Sequence, residues 1–152
     1  MEKDFELTIN ADIKTAMKQK DAVALRTLRS VKAEILVLKT DGSGRSAIDE
    51  ATAIKVIQKM IRQRSDSMEI FEKQDREDLA RVERDEVDVL EKYLPKQLSE
   101  EDLESKIAEI VQRLGASSIR DMGKVMGVAN TELAGSADGK AIGAMAKKLL
   151  TT

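Results

Sequence analysis

The sequence predicts an all-α protein, with an N-terminal helical hairpin or bundle over residues 1–94 and a small three-helix domain over 95–152. Three observations predict it. Apolar residues recur at spacings of three and four through most of the chain, and no convincing period-two strand pattern is present. Charged residues make up 36% of the 152 residues and aromatics 2%, which implies an aliphatic and methionine core wrapped by solvated helix faces. The one proline, Pro95, sits in YLPKQLS and biases the residue before it away from helix, marking the domain boundary.

Asp21 caps a predicted helix from about Ala22 to Thr40, whose stripe Leu28, Val31, Ile35 and Leu38 steps by 3, 4 and 3. TDGSGRS (40–46) stops it. Asp49 caps a long helix with the stripe Ile54, Ile57, Ile61, Met68 and Phe71, and Arg64 stands on that stripe, as a snorkelling side chain or where the helix leaves its partner. Beyond Gln74, Asp75 is a further cap candidate, ahead of a weaker apolar face of Leu79, Val82, Leu90 and Tyr93. Run together, residues 49–93 would form a helix about 67 Å long at about 1.5 Å per residue, so a break or a protruding hairpin is expected.

After Pro95, Ser99 with Asp102 forms a variant capping box for a helix over about 100–114, with Leu103, Ile107, Ile110 and Leu114 as its stripe and Gly115 as its C-terminal cap. Ser118 with Asp121 starts a second helix near 119–133, and Asp138 a third. The stretch GSADGKA (135–141) invites comparison with a nucleotide loop. A P-loop needs GxxxxGK followed by Ser or Thr after a strand; here the glycines are one residue too close, Ala141 replaces the hydroxyl, and no strand precedes. It reads as a helix junction: Gly135 ends one helix, Asp138 caps the next, Gly139 eases the turn, and the new N-terminus beside Lys140 is a modest anion site. In DMGKVMG (121–127), Gly123 and Gly127 share a helix face. Two glycines cost a helix about 1 kcal/mol each against alanine, which close packing by a neighbouring helix would explain.

The absences are informative. Without cysteine or histidine the chain has no disulfide, thiol nucleophile, imidazole zinc ligand or Ser-His-Asp triad; carboxylate chemistry or a Ser-Lys pair remains open, but the 28 acids read mostly as solvated helix positions, so no catalytic residue, metal or cofactor is expected. Its apolar runs are too short for a membrane span, and MEKDFE is acidic where a secretory signal is basic, so a cytoplasmic location is expected.

ASSIRDMGKVMG and ADGKAIGAMAKKLL resemble the C-terminal tail of the B subunit of tRNA-dependent amidotransferases. With LRTLRS, RQRSDSMEIF and YLPKQLSEEDL upstream, nearly the whole chain is similar to the free-standing proteins of the GatB/YqeY family. The resemblance implies a two-part helical fold and contact with tRNA, and it places the family motif on Gly123, Lys124, Gly127, Ala137, Asp138, Gly139 and Lys140. Ser136 and Ser65 stand where the family pattern has arginine.

Charge layout agrees with a nucleic-acid partner. Residues 14–64 hold 12 basic and 5 acidic residues, a balance of +7, whereas 69–91 hold 4 and 10, a balance of −6. The alternative is that these two segments dock on each other, within one chain or between copies. Scarce aromatics exclude base stacking as the main recognition mode, which leaves shape and backbone contacts. The expected function is a non-catalytic tRNA-interacting adaptor, with Arg26, Arg29, Lys124, Lys140 and Lys147 as phosphate contacts and no DNA or membrane partner. Arg26 and Arg29 are equally placed for intramolecular ion pairs. Two alternatives are an accessory to glutamine-dependent carbon-nitrogen ligase chemistry, alongside an aminoacyl-tRNA synthetase or amidotransferase components, and a purely protein-binding helical module.

Overall fold

The computed structural model describes residues 4–43 and 47–151. Among these residues the regular elements are seven α-helices and one short 3₁₀ turn: α1 Phe5–Gln19, α2 Ala22–Lys39, α3 Glu50–Lys73, α4 Glu77–Glu91, α5 Glu100–Leu114, the 3₁₀ turn Ile119–Asp121, α6 Met122–Glu132 and α7 Gly139–Leu150. The chain divides into two compact units, residues 1–94 and 95–152.

In the first unit, α1 is the element the sequence reading left unassigned. Asp4 caps it by accepting from the Leu7 N–H (3.2 Å), and it buries Ile9 and Ala16. The chain then reverses in two residues. Lys20 takes the left-handed conformation (φ 56°) and Asp21 caps α2 through the Ala24 N–H (3.0 Å). α2 buries the expected Leu28, Val31 and Ile35. The loop after it includes 44–46, so part of the TDGSGRS stop signal lies outside the described residues.

Asp49 caps α3 as expected, accepting from the Thr52 N–H (2.7 Å). Its buried face is Ala53, Val56, Ile57 and Met60, so Ile57 keeps its place while Ile54 and Ile61 flank the core. The anticipated interruption comes at 74–76. Asp75 is not the cap of α4; it turns the chain with φ 56°, and Arg76 holds the N-cap position without a side-chain capping bond. α3 and α4 thus form a hairpin. The main hydrophobic cluster draws on α3 only up to Ile61 and on α4 only from Val89, with Ala80 and Val87 buried outside it, so the residues nearer the reversal form an arm beyond that cluster. Val82, assigned to the apolar face by its spacing, is 42% exposed there. Ion pairs run along this arm, from Arg84 to Glu72 (3.3 Å) and Glu77 (2.9 Å) and from Arg76 to Asp78 (2.9 Å).

At the base of the arm, Glu86 is buried between two arginines, Arg26 of α2 (3.0 Å) and Arg64 of α3 (3.2 Å). Arg64 also donates to the Met60 carbonyl (3.2 Å), which explains a cation on the α3 stripe: it snorkels along the helix to a buried carboxylate. At the other end of α4, Tyr93 donates its hydroxyl hydrogen to Asp12 of α1 (2.5 Å) and meets Phe5 edge to face at 6.1 Å. Burial and the Asp12 carboxylate push the Tyr93 phenol above its ordinary range.

The second unit is built from α5, α6 and α7 around Leu103, Ile107, Ile110, Val125, Ala129, Leu133, Ile142, Met145, Ala146 and Leu150. Ser99 caps α5 by accepting from the Asp102 N–H (3.1 Å), and Gly115 (φ 64°) ends it in the left-handed conformation. The predicted second helix is split. Ser118 and Asp121 make a reciprocal capping box, but around a 3₁₀ turn, with α6 following.

Candidate nucleic-acid interface

The family-motif residues converge on the second unit, and their faces follow from which side chains its core takes. α6 buries Val125 and Ala129, which turns Gly123, Gly127, Asn130 and Thr131 outward. No atom lies within 4 Å of where a β-carbon would stand on Gly123 or Gly127. The expectation that these glycines admit a neighbouring helix is therefore overturned. They leave a shallow, exposed strip of helix, and the helix-weakening cost of about 1 kcal/mol each has no packing partner within the unit.

α7 buries Ile142, Met145, Ala146 and Leu150, so Lys140, Ala144 and Lys147 align outward at spacings of 4 and 3, flanked by exposed Ala141 and Lys148. No acidic residue occurs in α7 itself. The two outward faces meet. A β-carbon built on Gly143 would lie 3.7 Å from the Met126 methyl, so Met126 spans the seam between the helices. At about 100° per residue, Gly123 and Asn130 lie on the solvent side of Met126, as Lys140 and Lys147 lie on the solvent side of Gly143. Gly123, Gly127, Asn130, Lys140, Ala144 and Lys147 thus form one continuous surface of small residues and lysines.

Lys124 is exposed but points elsewhere, about 160° around α6 from Met126. The structure does not bring it beside Lys140 and Lys147. Asp138 caps α7 by accepting from the Lys140 N–H (2.9 Å), which sets a carboxylate on the N-terminus that the sequence suggested as an anion site. The positive surface is therefore the side of α7, not its end. Gly139 has a helical φ and open space around it, so the tight-turn role expected for it falls to Gly135 (φ 78°), whose carbonyl accepts from the Gln97 amide (2.6 Å).

The remaining acids near α6 are engaged. Asp121 accepts from the Ser117 and Ser118 N–H groups (2.9 and 3.3 Å), and those bonds hold its carboxyl below the usual carboxylate range. Glu132 pairs in bidentate fashion with Arg113 of α5 (2.7 and 2.8 Å), which lowers its carboxyl likewise.

A feature that sequence reasoning missed lies against this surface. Ala137 and Asp138 help line an open cleft of about 480 Å³ between the start of α5 and α7, floored by Leu98, Leu103 and Met145 with Lys148 on its rim. The Leu98 N–H to the Ser136 carbonyl (2.9 Å) fixes one wall. Residues just after a proline gave no helical periodicity, so no sequence signal marked Leu98 as a wall.

In the first unit, Arg26 is held by Glu86 and its side chain is about half exposed, which matches the ion-pair alternative for it. Arg29 is exposed and has no carboxylate partner among the described residues. Among the described residues there is no cluster of three or more His, Cys, Asp or Glu able to hold a metal, and no helix long and apolar enough to cross a membrane.

A family model described as Yqey-like protein matches residues 6–150. The chain belongs to the YqeY-like family. Its curated relatives include a protein of Candida glabrata named altered inheritance of mitochondria protein 41, 35% identical over 72% of this chain and 62% of its own length. The proteins of the same name in Meyerozyma guilliermondii and Clavispora lusitaniae are 42% identical over 57% of this chain and 29% identical over 85%. This YqeY-like chain spans 62% and 44% of the first two relatives, less than two thirds of each. All three are named as mitochondrial proteins, which overturns the cytoplasmic location expected from the sequence. The physical reason is plain: that no helix among the described residues is long and apolar enough to cross a membrane does not distinguish one aqueous compartment from another.

Proposed function

We propose that this YqeY-like chain is a non-catalytic adaptor that contacts tRNA through its second unit. The observation that carries the reading is the joined outward surface of α6 and α7. Two glycines with open space above them let a sugar-phosphate chain approach the helix closely, and Lys140 and Lys147 stand at its edge to meet phosphates. Asn130 offers hydrogen-bonding groups for ribose hydroxyls, the feature that separates RNA from DNA. Lys124 and Arg29 would contribute separate, weaker phosphate contacts. The resemblance of the motif to the amidotransferase tail supports the same ligand class.

The test is fluorescence anisotropy of the purified protein with total tRNA, against duplex DNA of equal charge, over a salt series. Preferential tRNA binding that weakens steeply with salt supports the reading, and equal or absent binding removes it.

A further inference from the structure

Away from that surface, the first unit carries two exposed stripes of matching spacing and opposite charge. On α2, Leu36 is 61% exposed and stands between Lys32, four residues before it, and Lys39, three after. On α4, Val82 is 42% exposed and stands between Asp78, four before, and Asp85, three after. Residues at these spacings share one helix face, so each stripe is an apolar residue flanked along the helix by two like charges.

Each stripe continues onto its neighbouring helix. Beside Leu36, a cleft of about 250 Å³ floored by Ile9 and Ile35 opens between α1 and α2, with Asn10 and the Lys39-paired Glu6 of α1 on its wall. At the level of Val82 on the arm, α3 presents Ile70 (54% exposed) with Asp66 one turn before it. The arm sequence 66–85 holds 8 acids and 4 bases. Several of those acids already have partners on the arm, but none of the ion pairs found joins Asp66 or Asp85 to a cation, or Lys32 to a carboxylate. Lys39 is already paired with Glu6 (3.1 Å) and Asp78 with Arg76 (2.9 Å), so the complementary charge left over is Lys32 on one stripe and Asp66 and Asp85 on the other.

We infer that the α3–α4 arm of one copy docks on the α1–α2 face of a second copy, with Ile70 and Val82 against Leu36 and its cleft, and aspartates against lysines. Phosphate backbone gains nothing from exposed leucine and isoleucine, whereas a protein surface that offers apolar residues ringed by acid matches this face in both respects. The arm is such a surface. Its projection beyond the core gives it the reach to enter another copy. The contact joins unlike surfaces, and a single arm on a single face is small, so self-association is weak, with Kd of about 10–100 µM, and is loosened by salt.

Sedimentation velocity across a concentration series tests this with three proteins. The face variant carries Lys32→Glu and Leu36→Ser; the arm variant carries Val82→Ser and Asp85→Lys. All changed side chains lie at the surface, and circular dichroism melting checks that both variants fold. The wild type should shift to faster sedimentation as concentration rises, and each variant alone should remain monomeric with association weakened at least tenfold. An equimolar mixture of the two variants should associate again, because one supplies an intact arm and the other an intact face. The inference is overturned if the wild type stays monomeric at every concentration, if either variant associates as the wild type does, or if the mixture does not recover. Binding of the wild-type face to anionic vesicles in place of self-association would likewise overturn it. Because the main tRNA contact is assigned to the second unit and neither variant changes Arg29, loss of self-association with tRNA binding intact separates the two proposals.

Discussion

Replacing Gly127 with alanine should make the protein more stable and a poorer tRNA binder. Gly127 is the sixth of eleven residues in α6, so it bears nearly the full mid-helix penalty of glycine. No atom lies within 4 Å of the new methyl group, so no clash offsets the gain. The expected stabilisation is about 0.5–1 kcal/mol, arising from helix propensity and a less disordered unfolded chain. For a unit of this size that raises the melting temperature by roughly 3–8 °C. Thermal unfolding followed by circular dichroism measures it, and Gly123→Ala, in the first turn, should give a smaller shift of the same sign. A lower melting temperature for Gly127→Ala would mean a contact at that face and would refute the open-surface argument. Higher stability with unchanged tRNA affinity would mean that the exposed glycines take no part in binding.

Glu86→Ala should cost the first unit about 2–4 kcal/mol, because Arg64, whose side chain is 15% exposed, loses its carboxylate, while half-exposed Arg26 regains water. Urea denaturation checks this, and a loss near zero would contradict a buried triad. Glu83→Gln should change the pH dependence of stability. Burial, then the Glu86 carboxylate, hold the Glu83 carboxyl above its ordinary value, against the pull of Arg64 and Arg26. The folded state therefore holds that proton more tightly, and Glu83 costs stability as pH rises from the usual glutamate range through the raised value. The variant should be more stable than wild type above that window and show no gain below it, as melts at pH 4 and pH 7 would reveal. Asp75→Gly should stabilise the arm by up to about 1 kcal/mol, since glycine adopts φ 56° without the β-carbon penalty; slower hydrogen exchange at the ends of α3 and α4 is the readout.

Local signals carried most of the fold. Asp21, Asp49, Ser99 and Asp138 each cap a helix with a side-chain bond, as their types and positions implied. α1 was legible too, since Phe5, Ile9, Ile13 and Ala16 step by 4, 4 and 3, but the sequence reading began at Asp21 and passed over that stripe. Val82 and Leu114 had core spacing yet are 42% and 36% exposed, for spacing fixes a helix face and not what covers it. The same gap explains Gly123 and Gly127: sequence shows that two glycines share a side of α6, but only the path of α7 decides whether that side is filled. Lys140 and Lys147 were legible as candidates from the family motif and from their place on the last helix. That they join the glycine strip, while Lys124 does not, depends on the Met126–Gly143 seam. Arg26 and Arg64 show the converse, as cations in a basic stretch that a single distant carboxylate, Glu86, engages, Arg64 within the interior and Arg26 at its edge.

The most direct test of the central claim is the salt dependence of tRNA binding by Lys140→Ala/Lys147→Ala beside the wild type. If the α6–α7 surface meets the RNA backbone, each lysine lost removes about one unit from the slope of log affinity against log salt, and the double variant should fall about two units below wild type. Equal slopes for the two proteins would contradict it.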